Sequence, residues 1–171
     1  MTKLLGVEVE VVAILVTGLL AGAYLLSSAL CPRAKVDPAR QAWLKVYPVD
    51  DKPTPPRGFK TAELASFDGK DGRRLYIGAK GKVFDVGFLY RGWEAYGPRG
   101  GYAVFSGADA SWALATMSLV PQAEWPTDAT WESLGADEQK TLNDWVDKFE
   151  NVYGYPVVGW IVDGFFPSTS L

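Results

Sequence analysis

The pattern of apolar and polar positions divides the chain into regions of different character. From Val11 to Leu30 no charged residue interrupts a run rich in Val, Leu, Ile and Ala. As a helix rising 1.5 Å per residue, this run is roughly 30 Å long, the thickness of a bilayer's hydrocarbon core. A cleaved signal peptide usually has a shorter apolar core behind a clear basic stretch. Here only Lys3 precedes the run, and Glu8 and Glu10 follow it before Val11. The pattern predicts a retained transmembrane anchor over residues 1–31. Residues 32–57 hold Pro32, Pro38, Pro48, Pro53, Pro55 and Pro56. Proline lacks a donor and forces its predecessor to extend, which predicts a stiff connector with at most a short helix near Arg40–Val46. A compact domain is expected over 58–165, with a short tail at 166–171.

Within that domain the periods change along the chain. Thr61 reads as the N-cap of a helix through Ala62-Glu63-Leu64, with Leu64 and Phe67 facing inward. Leu75–Ala79 and Lys82–Val86 read as strands joined at Lys80-Gly81. Residues 87–95 are aromatic and helical in part, and the glycines and proline of 96–101 predict a loop. Asp109 is expected to cap a short helix through Thr116. Leu142, Trp145, Val146, Phe149, Val152 and Tyr153 recur at i, i+3, i+4, i+7, i+10 and i+11, one stripe of a helix facing a core. Pro156 stops that helix, and Val157–Val162 reads as a last strand. Short strands mixed with short helices predict an α+β domain.

Composition then narrows the chemistry. The 171 residues include no histidine and one cysteine. Imidazole triads, bis-histidine heme ligation and cysteine-rich metal sites are thereby excluded. A net charge of −3 leaves no electrostatic footprint for nucleic acid. No motif marks a catalytic acid and base, so an enzyme is not expected. Glu132, Asp137 and Glu138 read as a solvated helix start rather than a calcium site. Arg33, Lys35, Arg40 and Lys45 follow the apolar run, which places the C-terminal part on the cytoplasmic or matrix side. The endoplasmic reticulum and the mitochondrial inner membrane both fit. Gly18 and Gly22 form a small-residue face on which another membrane helix could pack. Cys31 at the membrane edge is a palmitoylation candidate, with an inert thiol as the plainer reading.

The domain resembles the membrane-associated progesterone receptor family of cytochrome b5-like heme/steroid-binding domains. The resemblance rests on Phe59-Lys60-Thr61-Ala62-Glu63-Leu64, Phe67-Asp68-Gly69, Gly81-Lys82-Val83-Phe84-Asp85-Val86 and Tyr96-Gly97-Pro98. It continues through Gly101-Tyr102-Ala103-Val104-Phe105, Asp109-Ala110-Ser111 and Ala113-Leu114-Ala115, and ends on Trp145, Phe149, Tyr153 and Gly159. It implies a membrane-anchored domain whose cleft can hold ferric heme through one tyrosine oxygen. Tyr102 matches that ligand, and Tyr96 and Tyr153 match its aromatic neighbours. Gly97, Gly100 and Gly101 would let the backbone approach a flat ligand. The bland alternative is that Tyr96 and Tyr102 are ordinary half-buried aromatics around a glycine turn.

Several positions depart from the family. Extra residues lie within Gly87–Ala95, Ala108 and Trp112 stand where arginines are frequent, and Val152 replaces a lysine. The lost cations are candidate partners for heme propionates, and Trp112 could fill space that a ligand needs. Two readings follow. One is a heme-binding, non-enzymatic membrane protein that regulates or adapts partners. The other is a heme-free accessory subunit of a large membrane complex, such as a respiratory-chain assembly, held through its transmembrane helix.

Overall fold

The computed structural model describes residues 3–4, 7–8, 37–48, 50–127 and 130–163. The chain divides into two compact units, residues 1–37 and 38–171. In the first, β1 (Lys3–Leu4) and β2 (Val7–Glu8) pair antiparallel, Lys3 opposite Glu8. The apolar run 11–30 with Gly18 and Gly22, and Cys31 after it, lie outside the described residues. Among those described, no helix is long and apolar enough to cross a membrane.

The second unit opens with α1 (Pro38–Val46), inside the stretch expected to be a connector. Pro38 sits at the first helical position, where its missing N–H costs nothing. The helix ends on Tyr47, which is 1% exposed. The Tyr47 hydroxyl donates to Asp85 Oδ1 at 2.7 Å and accepts the Leu75 N–H at 2.8 Å. Trp43 Nε1 donates to the Gly87 carbonyl at 2.8 Å. Tyr47 is therefore part of the core, with Trp43 and Val46 packed against it, while most of the helix before it stays at the surface.

A four-stranded sheet follows, in the order β3 (Arg57–Phe59), β6 (Val157–Ile161), β5 (Lys82–Asp85), β4 (Tyr76–Ala79). β3 runs parallel to β6, and the other pairs are antiparallel. Lys80 and Gly81 join β4 to β5 with φ of 51° and 74°, the two positive values a tight primed turn requires. Alternate residues of each strand point to opposite faces. Ile77, Ala79 and Phe84 enter the larger core with Phe105, Leu114, Leu142 and Phe149. Tyr76 and Val83 enter a smaller one with Phe59, Leu64, Val158 and Ile161. There Phe67 stacks on Tyr76 at 4.4 Å.

The helices are α2 (Thr61–Leu64), α3 (Tyr90–Tyr96), α4 (Ser111–Ala115) and α5 (Ala136–Asp147). Two cap assignments shift. Lys60 precedes α2, and Thr61 instead holds Asp163, donating through both N–H and hydroxyl. Ala110 precedes α4, while Asp109 Oδ1 accepts from the Ser111 N–H and hydroxyl. α5 starts as its acidic residues suggest, with Glu138 Oε2 accepting the Gly135 N–H at 2.9 Å. It then passes into a π turn, Lys148–Val152, in which the Tyr153 N–H reaches back five residues to the Lys148 carbonyl. The wider turn breaks the expected stripe. Leu142, Val146 and Phe149 are buried, but Val152 is 61% exposed.

Candidate functional site

The loop after α3 positions the first two tyrosines. Its backbone turns over the helix end and satisfies the carbonyls left open there. The Gly97 N–H bonds the Trp93 carbonyl at 2.9 Å, the Tyr102 N–H bonds the Ala95 carbonyl at 3.0 Å, and the Ser106 hydroxyl bonds the Tyr96 carbonyl at 2.6 Å. Gly100 is required for this closure, since a Cβ there would lie 2.1 Å from the Ala95 oxygen. Gly101 is different: a Cβ there would meet nothing within 4 Å. The glycines thus divide in role. Gly97 and Gly100 serve the helix end, and at Gly101 an added side chain would meet open space.

Tyr96 is 4% exposed and Tyr102 is 45% exposed, with ring centroids 5.9 Å apart. The Tyr102 ring lies along Phe105 at 6.1 Å, nearly parallel. Tyr153, carried to the end of the π turn, is half-buried. It does not pair directly with Tyr96. Tyr155 stands between them, 6.5 Å from Tyr96 and 5.4 Å from Tyr153, with Phe149 packed against both Tyr96 and Tyr155. The structure therefore joins the three tyrosines singled out in the sequence into one run, with Tyr155 as the link. Burial raises the Tyr96 phenol well above its ordinary pKa, and the neighbouring tyrosines add to this. Burial also raises Tyr155, opposed by Arg91.

Arg91 and Tyr155 are the members that sequence reasoning missed. The Arg91 guanidinium sits 5.4 Å over the Tyr153 ring and donates to the Tyr153 carbonyl. It comes from the aromatic insertion before Tyr96, so a cation stands beside Tyr153 although Val152 has replaced the lysine. The signal was present, a lone arginine within Gly87–Ala95, but its partner lies 62 residues away.

Cavities lie elsewhere. One of about 570 Å³ is lined by Gly100, Trp93, Pro98, Lys45, Lys70 and Arg99 among others. A second of about 470 Å³ holds Trp112, Trp125, Trp131 and Glu132. Tyr96, Tyr102 and Tyr153 line neither. Tyr96 and Tyr155 are buried, Tyr153 is half-buried, and Tyr102 is the exposed end of the run. Trp112 occupies the second cavity's wall, and Glu132 is half-buried there rather than part of a solvated helix start.

No protein-family model matches the chain. "Probable steroid-binding protein 3" of Arabidopsis thaliana is 41% identical over 105 residues, covering 61% of this chain and 97% of that protein. Human "membrane-associated progesterone receptor component 2" is 34% identical over 99 residues, covering 58% of this chain and 43% of that longer protein. A solved structure of an Arabidopsis thaliana hypothetical protein, described as having a cytochrome b5 like fold, superposes with a TM-score of 0.52 at 40% identity. It covers 63% of this chain and 92% of that one.

Proposed function

The chain belongs to the family of steroid-binding and membrane-associated progesterone receptor component proteins, with their cytochrome b5-like fold, and from that premise we propose a non-enzymatic, single-pass membrane protein that binds heme and regulates or adapts partner proteins. The relatives are named as binding or receptor components. The placement of Tyr102 carries the heme reading. Its ring is 45% exposed at the edge of the tyrosine run, its backbone is fixed on α3, and the space beside Gly101 is open.

The donor set suits a ferric iron. Tyrosine oxygen is an established heme ligand, and the iron's own charge favours the phenolate. Bound heme would supply a ferric centre whose anionic ligand disfavours rapid electron shuttling. Tyr102 would hold the metal, with Tyr96 and Tyr153 as its aromatic neighbours, and Arg91 would offer a cation to an acidic edge. A second reading, the heme-free accessory subunit, is favoured by Val152, an apolar side chain 61% exposed beside Tyr153.

The test is a titration of the full chain in a mild detergent with ferric heme. The heme reading expects the visible spectrum of phenolate-ligated iron, lost in Tyr102→Phe. An unchanged spectrum in that variant removes Tyr102 as the ligand. No heme uptake, together with migration in a large assembly on a native gel, selects the second reading.

A further inference from the structure

The 470 Å³ cavity has no tyrosine in its lining and has its own chemistry. Three indoles, Trp112, Trp125 and Trp131, are in its lining, together with the carboxylates of Asp109, Glu132 and Asp163. Neither lysine nor arginine is among the described lining residues. Two of the carboxylates are already engaged: Asp109 Oδ1 takes both Ser111 donors, and Asp163 takes both Thr61 donors. Glu132 is not. Its Oε1 is buried and has no hydrogen-bond partner among the described residues. Such an oxygen is costly unless something positive faces it.

The volume is within the range of small-ligand sites. Indole faces attract cations, and an ammonium group between aromatic rings and a carboxylate is a recurrent recognition arrangement. Trp131 already shows this preference, with the Lys80 ammonium 5.4 Å from its ring centroid while also donating to Asn143. A phosphate or carboxylate ligand would meet three acidic groups with neither lysine nor arginine among the described lining residues, and a neutral apolar ligand would leave those carboxylates without a counter-charge.

We propose that the Trp112–Trp125–Trp131 cavity is a binding site for a small organic ammonium ion, with Glu132 as the counter-charge and the indoles as the walls. It does not depend on heme at Tyr102. The ammonium could arrive as a free ion or on a lipid headgroup. The missing counter-charge for a phosphate selects the free ion.

Isothermal titration of the full chain in a maltoside detergent tests this. Choline chloride is the probe, phosphocholine is the headgroup arm, and 3,3-dimethylbutanol is the uncharged isostere. The site predicts that choline binds, and that phosphocholine and the alcohol each bind at least about tenfold more weakly. Glu132→Gln, a near-isosteric change, should weaken choline by roughly tenfold, and Trp125→Leu should weaken it as well. Heme uptake should be unaffected by either change. Equal binding of choline and the alcohol, an unchanged affinity in Glu132→Gln, or no heat from millimolar choline would each overturn the proposal. Tighter binding of phosphocholine would overturn the choice of the free ion.

Discussion

At Tyr47 a phenol is enclosed by Asp85 and the Leu75 N–H, with Arg74 4.9 Å from its ring, whereas at Tyr102 nearly half of the same side chain faces outward. Both tyrosines follow a helix and both touch the larger core. They differ in whether the hydroxyl is committed. Tyr47 donates and accepts within the protein, and its partner Asp85 is held in turn by Arg74 at 3.0 Å, which also grips Asp51. Tyr102 makes no side-chain hydrogen bond among the described residues, and only its backbone is fixed. A phenol whose hydrogen bonds are complete is part of the scaffold. One whose ring is seated and whose oxygen is free is available for chemistry.

The sharpest way to break this comparison is to remove each hydroxyl. Tyr47→Phe leaves Asp85 Oδ1 and the Leu75 N–H without their partner and should cost about 2–4 kcal/mol in urea denaturation. Tyr102→Phe should change stability by less than about 0.5 kcal/mol. Equal losses would erase the distinction.

The acid behaviour of the Tyr47 network sharpens it further. Burial pushes the Asp85 carboxyl up to about 6, against the pull of Tyr47 and Arg74. Between the unfolded value near 4 and the folded value near 6, the native state holds a proton that the unfolded chain has lost. The stabilisation from this group is therefore complete below pH 4 and is lost as the pH rises through 6. The difference between wild type and Asp85→Asn, followed by thermal melting from pH 4 to 7, should show that loss. Its size should be on the order of 2 kcal/mol. A pH-independent difference would mean that Asp85 does not take up the proton.

A smaller contrast lies within the glycine loop. Gly100→Ala drives a methyl into the Ala95 carbonyl and should cost about 1–3 kcal/mol. Gly101→Ala meets open space and should lie within about 0.5 kcal/mol of wild type. Chemical denaturation of the two variants separates the glycine that closes the helix from the one that borders Tyr102.

Much of this domain is decided by short-range pattern. The alternation in Tyr76–Ala79 and Lys82–Asp85 sorts side chains between two cores. Lys80-Gly81 sets the hairpin. Leu142, Val146 and Phe149 mark the buried side of the last helix. These features depend on neighbours a few residues apart, so strand and helix periods expose them.

Other features arise only when distant segments meet. Tyr47 reads as part of a proline-rich connector until Asp85, 38 residues on, encloses it. Val152 fits the helical stripe until a π turn carries it outward. Arg91 looks incidental until Tyr153 comes beneath it. Trp112 reads only as a departure from the family pattern until Trp125, Trp131 and Glu132 join it around a cavity. Helical and strand periods carry no record of which distant polar groups pair once they are buried. That pairing is decided only by packing in three dimensions, and here it separates the structural tyrosine from the free one.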